Sequence, residues 1–135
     1  MVPGAGLGRL PFEILQLNEK IRVTASEENL NLYYANNFIM TKCSPKNAPQ
    51  IYPNINRLES RLLGIDATSP VTFPDVDINN GSNLNFMTYP ESFQEICDER
   101  LEASSVDYVI TWFFIDTAHN VIEYVKLIEH ILTNI

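Results

Sequence analysis

Residues 2–10 read Val2-Pro3-Gly4-Ala5-Gly6-Leu7-Gly8-Arg9-Leu10. The three glycines at positions 4, 6 and 8 let the backbone turn sharply and approach a ligand where a Cβ atom would intrude. The apolar residues that follow can begin a helix whose N-terminal amide groups face that ligand. The stretch is therefore typical of a loop that binds a nucleotide cofactor, although glycines that serve only turn geometry are the alternative.

The glycine spacing is Gly-x-Gly-x-Gly, whereas dinucleotide sites use Gly-x-Gly-x-x-Gly. We associate the shorter spacing with sites for S-adenosyl-L-methionine (SAM), which has no pyrophosphate to hold, and it disfavours a nicotinamide dehydrogenase. In nucleotide-binding βαβ units, an acidic residue about 20 positions further on accepts hydrogen bonds from the ribose hydroxyls. Glu27 lies 19 residues after Gly8 and follows a predicted strand at 21–25, so its position fits this role.

The composition is that of one globular domain: 135 residues, of which 45% are hydrophobic and 19% are charged. The net charge of −8 repels phosphate backbones and anionic membranes, so we expect neither a nucleic-acid nor a membrane partner. No segment resembles a signal peptide or a membrane span, which predicts a cytoplasmic or nuclear protein. Cys43 and Cys97 lack the spacing of a zinc site, and we expect both thiols to be reduced and at least partly buried.

Hydrophobic periodicity predicts strands that alternate with helices. Helices are expected at 7–17, from an N-cap at Ser26 to about Lys42, at 92–102, and from 118 to the C-terminus. Strands are expected at 1–3, 21–25, 71–73, 86–88 and 107–115. The last of these is the best supported, because its residues are almost all β-branched or aromatic, as in a strand buried on both faces. The pattern predicts a mostly parallel α/β sheet that binds ligands at the carboxyl ends of its strands.

Residues 44–70 contain four prolines among scattered polar residues. This composition predicts a long irregular insertion that contains one short helix at 57–63. Insertions of this length usually line or cover a site.

Four segments, taken together, carry a resemblance to a known family: 2–10, 73–77, 93–96 and 113–121. The last reads Phe-Phe-Ile-Asp-Thr-Ala-His-Asn-Val and is the most specific. The chain resembles the carnosine N-methyltransferase family, also called N2227-like, in order over essentially its whole length. The resemblance implies a Rossmann-like class I methyltransferase sheet and an enzyme that converts carnosine to anserine by methylating an imidazole nitrogen with SAM.

The resemblance also implies which residues bind SAM: Gly4, Gly6, Gly8, Arg9, Glu27, Ser92, Phe93 and Trp112. The glycine loop would hold the methionine part of the cofactor and Glu27 its ribose, while Ser92 and Phe93 would flank its adenine. Two of these positions depart from the family pattern. Ser92 stands where the family usually has a carboxylate, with Glu91 beside it, and Trp112 replaces a small residue and would lie near the cofactor or the core.

By the same resemblance, Asp116 is the catalytic residue that positions the substrate. The reaction needs a neutral imidazole nitrogen aligned with the methyl group, and an acceptor for the other ring N–H selects the tautomer and orients the ring. An N-cap on the last helix is the alternative role for this carboxylate. Asp116 with His119 and Glu123 would make a poor zinc set, so no metal is expected.

Compared with the family, residues 1–135 are expected to form an incomplete methyltransferase domain, without most of its first strand and its C-terminal strands. An exposed sheet edge would favour association into a homodimer. Two hypotheses follow. The chain is a SAM-dependent methyltransferase for carnosine or a similar imidazole dipeptide, as the glycine loop, Glu27 and Asp116 suggest. Alternatively, it is an inactive remnant or a SAM-binding interaction module, as Trp112 and the absent segments suggest.

Overall fold

The computed structural model describes residues 1–44, 47–56, 64, 66–78 and 85–133. These residues fall into two compact units, one formed by 1–37 and 83–135 and the other by 38–82. The short helix predicted at 57–63 lies outside the described residues. The described elements are β1 (Val2–Pro3), α1 (Arg9–Leu15), β2 (Val23–Ser26), α2 (Leu30–Lys42), β3 (Gln50–Ile51), β4 (Val71–Thr72), β5 (Phe86–Tyr89), α3 (Phe93–Glu99), a 3-10 helix (Ile115–Thr117) and α4 (Val121–Ile131).

The first unit contains a three-stranded sheet in the order β1-β2-β5, and both strand pairs are parallel. In β1, Val2 lies opposite Ala25 of β2, and all four residues of β2 pair with those of β5. Helices α1 and α2 lie between successive strands of this sheet along the chain. The predicted mixed α/β fold with a mostly parallel sheet is therefore confirmed.

The strand predicted at 107–115 does not form, and that prediction is wrong. Two hydrogen bonds place the start of this segment beside β1: the Met1 amine donates to the Tyr108 carbonyl (2.7 Å), and the Ile110 N–H donates to the Met1 carbonyl (2.9 Å). Beyond Ile110 the described backbone continues without strand pairing and turns at Phe113, whose φ is +48°. Composition alone predicted a strand here, but a strand also needs a backbone partner along its length.

Apolar side chains cover both faces of the sheet, because successive residues of a strand point to opposite sides. Val2 packs in one cluster with Leu15 of α1, whereas Met1 packs in another with Ile96 of α3 and Ile131 of α4. Ile96 and Ile131 are fully buried. The sheet is thus a middle layer between α1 and the pair α3 and α4, which fixes the positions of the strand ends.

Side chains at the helix starts place α3 and α4. Ser92 caps α3, and with Glu95 it forms a capping box in which each side chain accepts a hydrogen bond from the backbone N–H of the other. Asn120 caps α4 by accepting a hydrogen bond from the backbone of its first turn. The N-cap role considered for Asp116 is therefore wrong, because Asp116 precedes the cap and lies in the 3-10 helix.

The N-cap predicted at Ser26 is also wrong, because Ser26 is the last residue of β2. Asn29 caps α2 instead: its Oδ1 accepts hydrogen bonds from the N–H groups of Asn31 (3.0 Å) and Leu32 (3.3 Å). Asparagine is among the best N-cap residues, since its short side chain reaches these backbone donors. As a result α2 begins at Leu30, and residues 27–29 connect β2 to it.

The second unit contains the antiparallel pair β3 and β4, in which Gln50 lies opposite Thr72. Each unit also buries one cysteine, Cys43 in the second and Cys97 in the first, and neither forms a disulfide. Burial raises the pKa of the Cys97 thiol to about 12, so this thiol stays protonated at neutral pH.

Candidate functional site

Glu27 connects the glycine loop to the end of β2. Its Oε2 accepts a hydrogen bond from the Gly6 N–H (2.8 Å), and its Oε1 accepts one from the Asn29 N–H (3.0 Å). The residue is only 7% exposed. A carboxylate offers about four lone-pair sites, so each oxygen can still accept another hydrogen bond. Glu27 therefore holds the loop in place through Gly6. Its two carboxylate oxygens can also accept hydrogen bonds from a ligand that carries two neighbouring hydroxyl groups.

Asn36 of α2 binds the same glycine from a second direction. Its Nδ2 donates to the Gly6 carbonyl (3.2 Å), and the residue is 1% exposed. Because a carbonyl can only accept, this contact defines which amide atom faces Gly6. The other amide atom, Oδ1, is buried without a hydrogen-bond partner among the described residues. We call Gly6, Glu27 and Asn36 the glycine-loop cluster.

The loop itself has an unusual backbone. Gly4, Gly6 and Gly8 all have positive φ angles, of +64°, +55° and +88°, which other residues rarely adopt. A Cβ atom at Gly4 would lie 2.7 Å from Cδ2 of Phe114, whereas one at Gly6 would meet nothing within 4 Å. Gly4 is thus required for close packing as well as for its φ angle. The contact also brings residues 112–116 to the carboxyl end of β1.

Phe114 is held in place by two aromatic rings. It packs edge-on against Phe93 at 5.6 Å and stacks on Tyr124 at 5.2 Å between ring centroids. Phe93 is only 2% exposed, so its ring belongs to the core, and the Ser92 hydroxyl is engaged with Glu95. The predicted roles of Ser92 and Phe93 beside adenine stay predictions.

Residues 108–117, which we call the aromatic segment, lie mostly on the surface. Trp112 is 70% exposed and Phe113 is 85% exposed, and their rings pack edge to face at 5.4 Å. Trp112 is therefore not a core residue, and its role near the cofactor stays a prediction. Asp116 is exposed within the 3-10 helix, and its carboxylate makes no hydrogen bond or ion pair with the described part of the chain.

Two further charged side chains near the site have partners on the protein. Arg9, at the start of α1, forms an ion pair with Glu13 at 2.7 Å, so its predicted contact with the cofactor stays a prediction. Glu91 forms two hydrogen bonds with Arg100, which lower the pKa of the Glu91 carboxyl. The Arg100 guanidinium also lies over the Tyr89 ring at 4.4 Å. Arg100 thus binds both oxygens of Glu91, the residue beside Ser92, and a role for Glu91 in place of the carboxylate expected at Ser92 stays a prediction.

The described ranges contain no group of three or more His, Cys, Asp or Glu side chains placed to hold a metal ion. Within the same ranges, no helix combines the length and the apolar character needed to cross a bilayer.

Comparison with known proteins identifies the family. The family model described as "Carnosine N-methyltransferase" matches residues 1–135. The chain belongs to the carnosine N-methyltransferase family. It is 38% identical over 133 residues to a carnosine N-methyltransferase from Mus musculus, a match that covers 98% of this chain and 32% of that protein. A carnosine N-methyltransferase from Dictyostelium discoideum is 36% identical over 135 residues, covering 96% of this chain and 28% of that protein. The chain thus spans about a third of the length of the curated relatives it matches.

Membership of the carnosine N-methyltransferase family confirms the resemblance inferred from residues 2–10 and 113–121. The structure brings most of the predicted site residues to one end of the sheet, but it adds one that the sequence did not indicate. Asn36 lies in the middle of a helix, where asparagine is unfavourable, and this was the only signal for it.

Proposed function

We propose that this chain is the cofactor-binding part of a SAM-dependent N-methyltransferase with a Rossmann-like class I sheet. The whole protein would methylate an imidazole nitrogen of carnosine, giving anserine, or of a related histidine-containing peptide. The observation that carries the proposal is the hydrogen bond between Gly6 and Glu27. It joins a glycine loop to a carboxylate with spare acceptor capacity at the carboxyl edge of a parallel sheet.

The order of the strands supports a ligand site at this edge. The chain runs from β1 outward to β2 and then to β5. It then returns to the start of β1, where the backbone of Tyr108 and Ile110 forms two hydrogen bonds with Met1. The direction of winding therefore reverses at β1, and open α/β sheets bind ligands at the carboxyl end of such a reversal. The glycine loop leaves β1 at this point.

The residues of the loop fit SAM. A ribose carries two neighbouring hydroxyl donors, and the two Glu27 oxygens can each accept one more hydrogen bond. Space is open above Gly6, where even a Cβ atom would meet nothing within 4 Å. When bound, SAM supplies an electrophilic methyl group. The chain's own contribution is to hold the ribose and the methionine part by means of Glu27 and the glycine backbone.

Asp116 suits the substrate side of the reaction. The contact between Phe114 and Gly4 places the neighbouring 3-10 helix at the same end of the sheet, and the Asp116 carboxylate is exposed there. Such a carboxylate would accept the N–H of a neutral imidazole, which leaves the lone pair of the other ring nitrogen available for the methyl group. Orientation of this kind supplies much of the rate in reactions between two bound molecules.

A second function is a SAM-binding interaction module without catalysis. The exposure of Trp112 and Phe113 favours it, because these rings leave a surface beside Asp116 instead of an enclosed substrate pocket. Under this alternative the chain binds SAM through the glycine-loop cluster but transfers no methyl group. Separate measurements of SAM binding and of methyl transfer therefore distinguish the two functions.

The test is isothermal titration of SAM into the purified chain, with circular dichroism to confirm that it is folded. Saturable binding that is weakened by Glu27→Ala supports the cofactor site, whereas a folded chain that does not bind SAM contradicts it. Mass spectrometry of carnosine incubated with SAM and the chain then detects an added methyl group. Binding without that product favours the interaction module.

A further inference from the structure

We infer that Asn36 is a positioning residue for the cofactor loop. It acts on SAM affinity through Gly6 and Glu27, without contact with the cofactor. The inference rests on the proposed function, because it concerns how the SAM site is kept in shape. Its basis is the pair of hydrogen bonds that hold Gly6 from two different elements.

Hydrogen bonds to both of its backbone groups hold Gly6 in its conformation. The Gly6 N–H is bound by Glu27 and the Gly6 carbonyl by Asn36, while no atom lies within 4 Å of the position of an added Cβ. Glycine populates several regions of φ/ψ space at similar energies, so nothing intrinsic keeps it at its φ of +55°. Loss of the Asn36 contact would leave the Gly6 carbonyl without its protein donor and give the Gly6 peptide more freedom within the turn that the Gly8 N–H closes on the Ala5 carbonyl (3.0 Å).

Rotation at Gly6 would affect Glu27 directly. The Gly6 N–H is one of two backbone donors that orient the carboxylate, the other being the N–H of Asn29. A carboxylate that has lost one of these donors samples more orientations, and a ligand must then restore order on binding. Asn36 therefore contributes to cofactor affinity by keeping the acceptor oxygens of Glu27 in place before the ribose arrives.

The buried Oδ1 atom of Asn36 lowers the stability of the fold. Its Oδ1 is buried without a hydrogen bond among the described residues, and a buried acceptor without a partner destabilises the folded state. A leucine has a similar volume and no acceptor to bury. The Nδ2 contact with Gly6 is the compensating interaction that the structure shows. Asn36→Leu should therefore weaken SAM binding without lowering the stability of the fold.

The experiment compares Asn36→Leu with Asn31→Leu, the same change at an exposed position of the same helix. We measure the SAM dissociation constant by titration, the midpoint of thermal unfolding, and hydrogen exchange of the Gly6 amide by NMR without cofactor. For Asn36→Leu we expect affinity to fall about tenfold, as for the loss of one hydrogen bond, and Gly6 exchange to accelerate at least about tenfold. The unfolding midpoint should stay the same or rise, and Asn31→Leu should bind SAM as the original chain does.

Several outcomes would overturn the inference. Unchanged SAM affinity or unchanged Gly6 exchange in Asn36→Leu would do so, as would a fall in thermal stability that accounts for the weaker binding. If that variant does not fold, Asn36→Ala replaces it in the same measurements. A double-mutant cycle with Glu27→Gln adds a second criterion: the two losses must be less than additive, because both act through the same Gly6 contact.

The proposed function can fail independently of this inference. If the original folded chain does not bind SAM, the proposed function is contradicted, while exchange of the Gly6 amide still decides whether Asn36 holds the loop. If the original chain binds SAM and Asn36→Leu binds it equally well, the proposed function stands and the role of Asn36 is rejected.

Discussion

The glycine-loop cluster and the aromatic segment lie at the same end of the sheet but are held in different ways. In the cluster, side chains of Glu27 and Asn36 bind both backbone groups of Gly6. In the aromatic segment, Phe114 is anchored between other rings, while Phe113 projects into solvent from a left-handed backbone. The difference separates a loop held by side-chain hydrogen bonds from a segment held by backbone hydrogen bonds to Met1 at its start and by packing of the half-buried Phe114 ring further on. Under the proposed function, cofactor affinity depends on the glycine-loop cluster and substrate orientation on the aromatic segment.

The largest expected effect tests the anchoring of the aromatic segment. Phe93→Ala removes a buried ring that contacts Phe114, and we expect it to lower the free energy of unfolding by roughly 3–5 kcal/mol. Phe113→Ala is the matched control, because it removes the same side chain from the surface and should change stability by less than about 1 kcal/mol. Urea unfolding measures both. Equal losses in the two variants would mean that packing on Phe93 does not anchor the segment.

The next effect tests the contact between Gly4 of the glycine loop and Phe114 of the aromatic segment. Gly4→Ala should destabilise the chain by roughly 2–4 kcal/mol, because left-handed strain adds to the clash with Phe114. Gly64→Ala carries the same strain, since Gly64 has a φ of +70°, but its Cβ would meet no atom within 4 Å. It should therefore cost only about 1–2 kcal/mol. If the two glycine variants unfold at the same urea concentration, the Phe114 contact is absent.

The third prediction concerns the carboxylates of Glu27 and Asp116, to which the proposed function gives different roles, SAM binding and substrate orientation. Glu27→Gln removes a charged acceptor from the proposed SAM site and should weaken SAM binding by roughly 1–3 kcal/mol. Asp116→Asn should leave SAM binding unchanged and abolish methylation of carnosine. Titration and mass spectrometry measure the two properties separately. Active Asp116→Asn protein would remove this residue from its proposed role, and unchanged affinity in Glu27→Gln would remove Glu27.

The smallest effect concerns pH. Hydrogen bonds from Arg100 hold the pKa of Glu91 below its usual value of 4.5 in the folded chain. Glu91 therefore favours the folded state above pH 4.5, and that contribution is lost as the pH falls through its lowered pKa. Because this pair is exposed, its contribution is small. Glu91→Gln should therefore lose slightly less thermal stability than the original chain when the pH is lowered. Thermal unfolding followed by circular dichroism at several pH values measures this. If the variant and the original chain lose the same stability on acidification, the role of Arg100 is contradicted.

The same contrast explains what the sequence could predict. The glycine loop and Glu27 follow from local spacing, because the geometry of the loop and the carboxylate is encoded within a few residues of each strand end. Composition predicts a strand at 107–115. The backbone instead turns at Phe113, because beyond Ile110 it pairs with no strand in the described part of the chain. Asn36 was missed for a related reason, since its role depends on Gly6, which is 30 residues away in the chain.

The two cysteines offer a direct way to follow how the chain unfolds. Each lies buried in a different compact unit, so an alkylating reagent reaches each sulfur only when its own unit opens. Alkylation rates of Cys97 and Cys43, resolved by peptide mapping at increasing denaturant, would therefore report the opening of each unit separately. Identical rates at every denaturant concentration would identify one cooperative transition, whereas faster labelling of Cys43 would show that the unit at 38–82 opens while the sheet that carries the glycine loop stays folded.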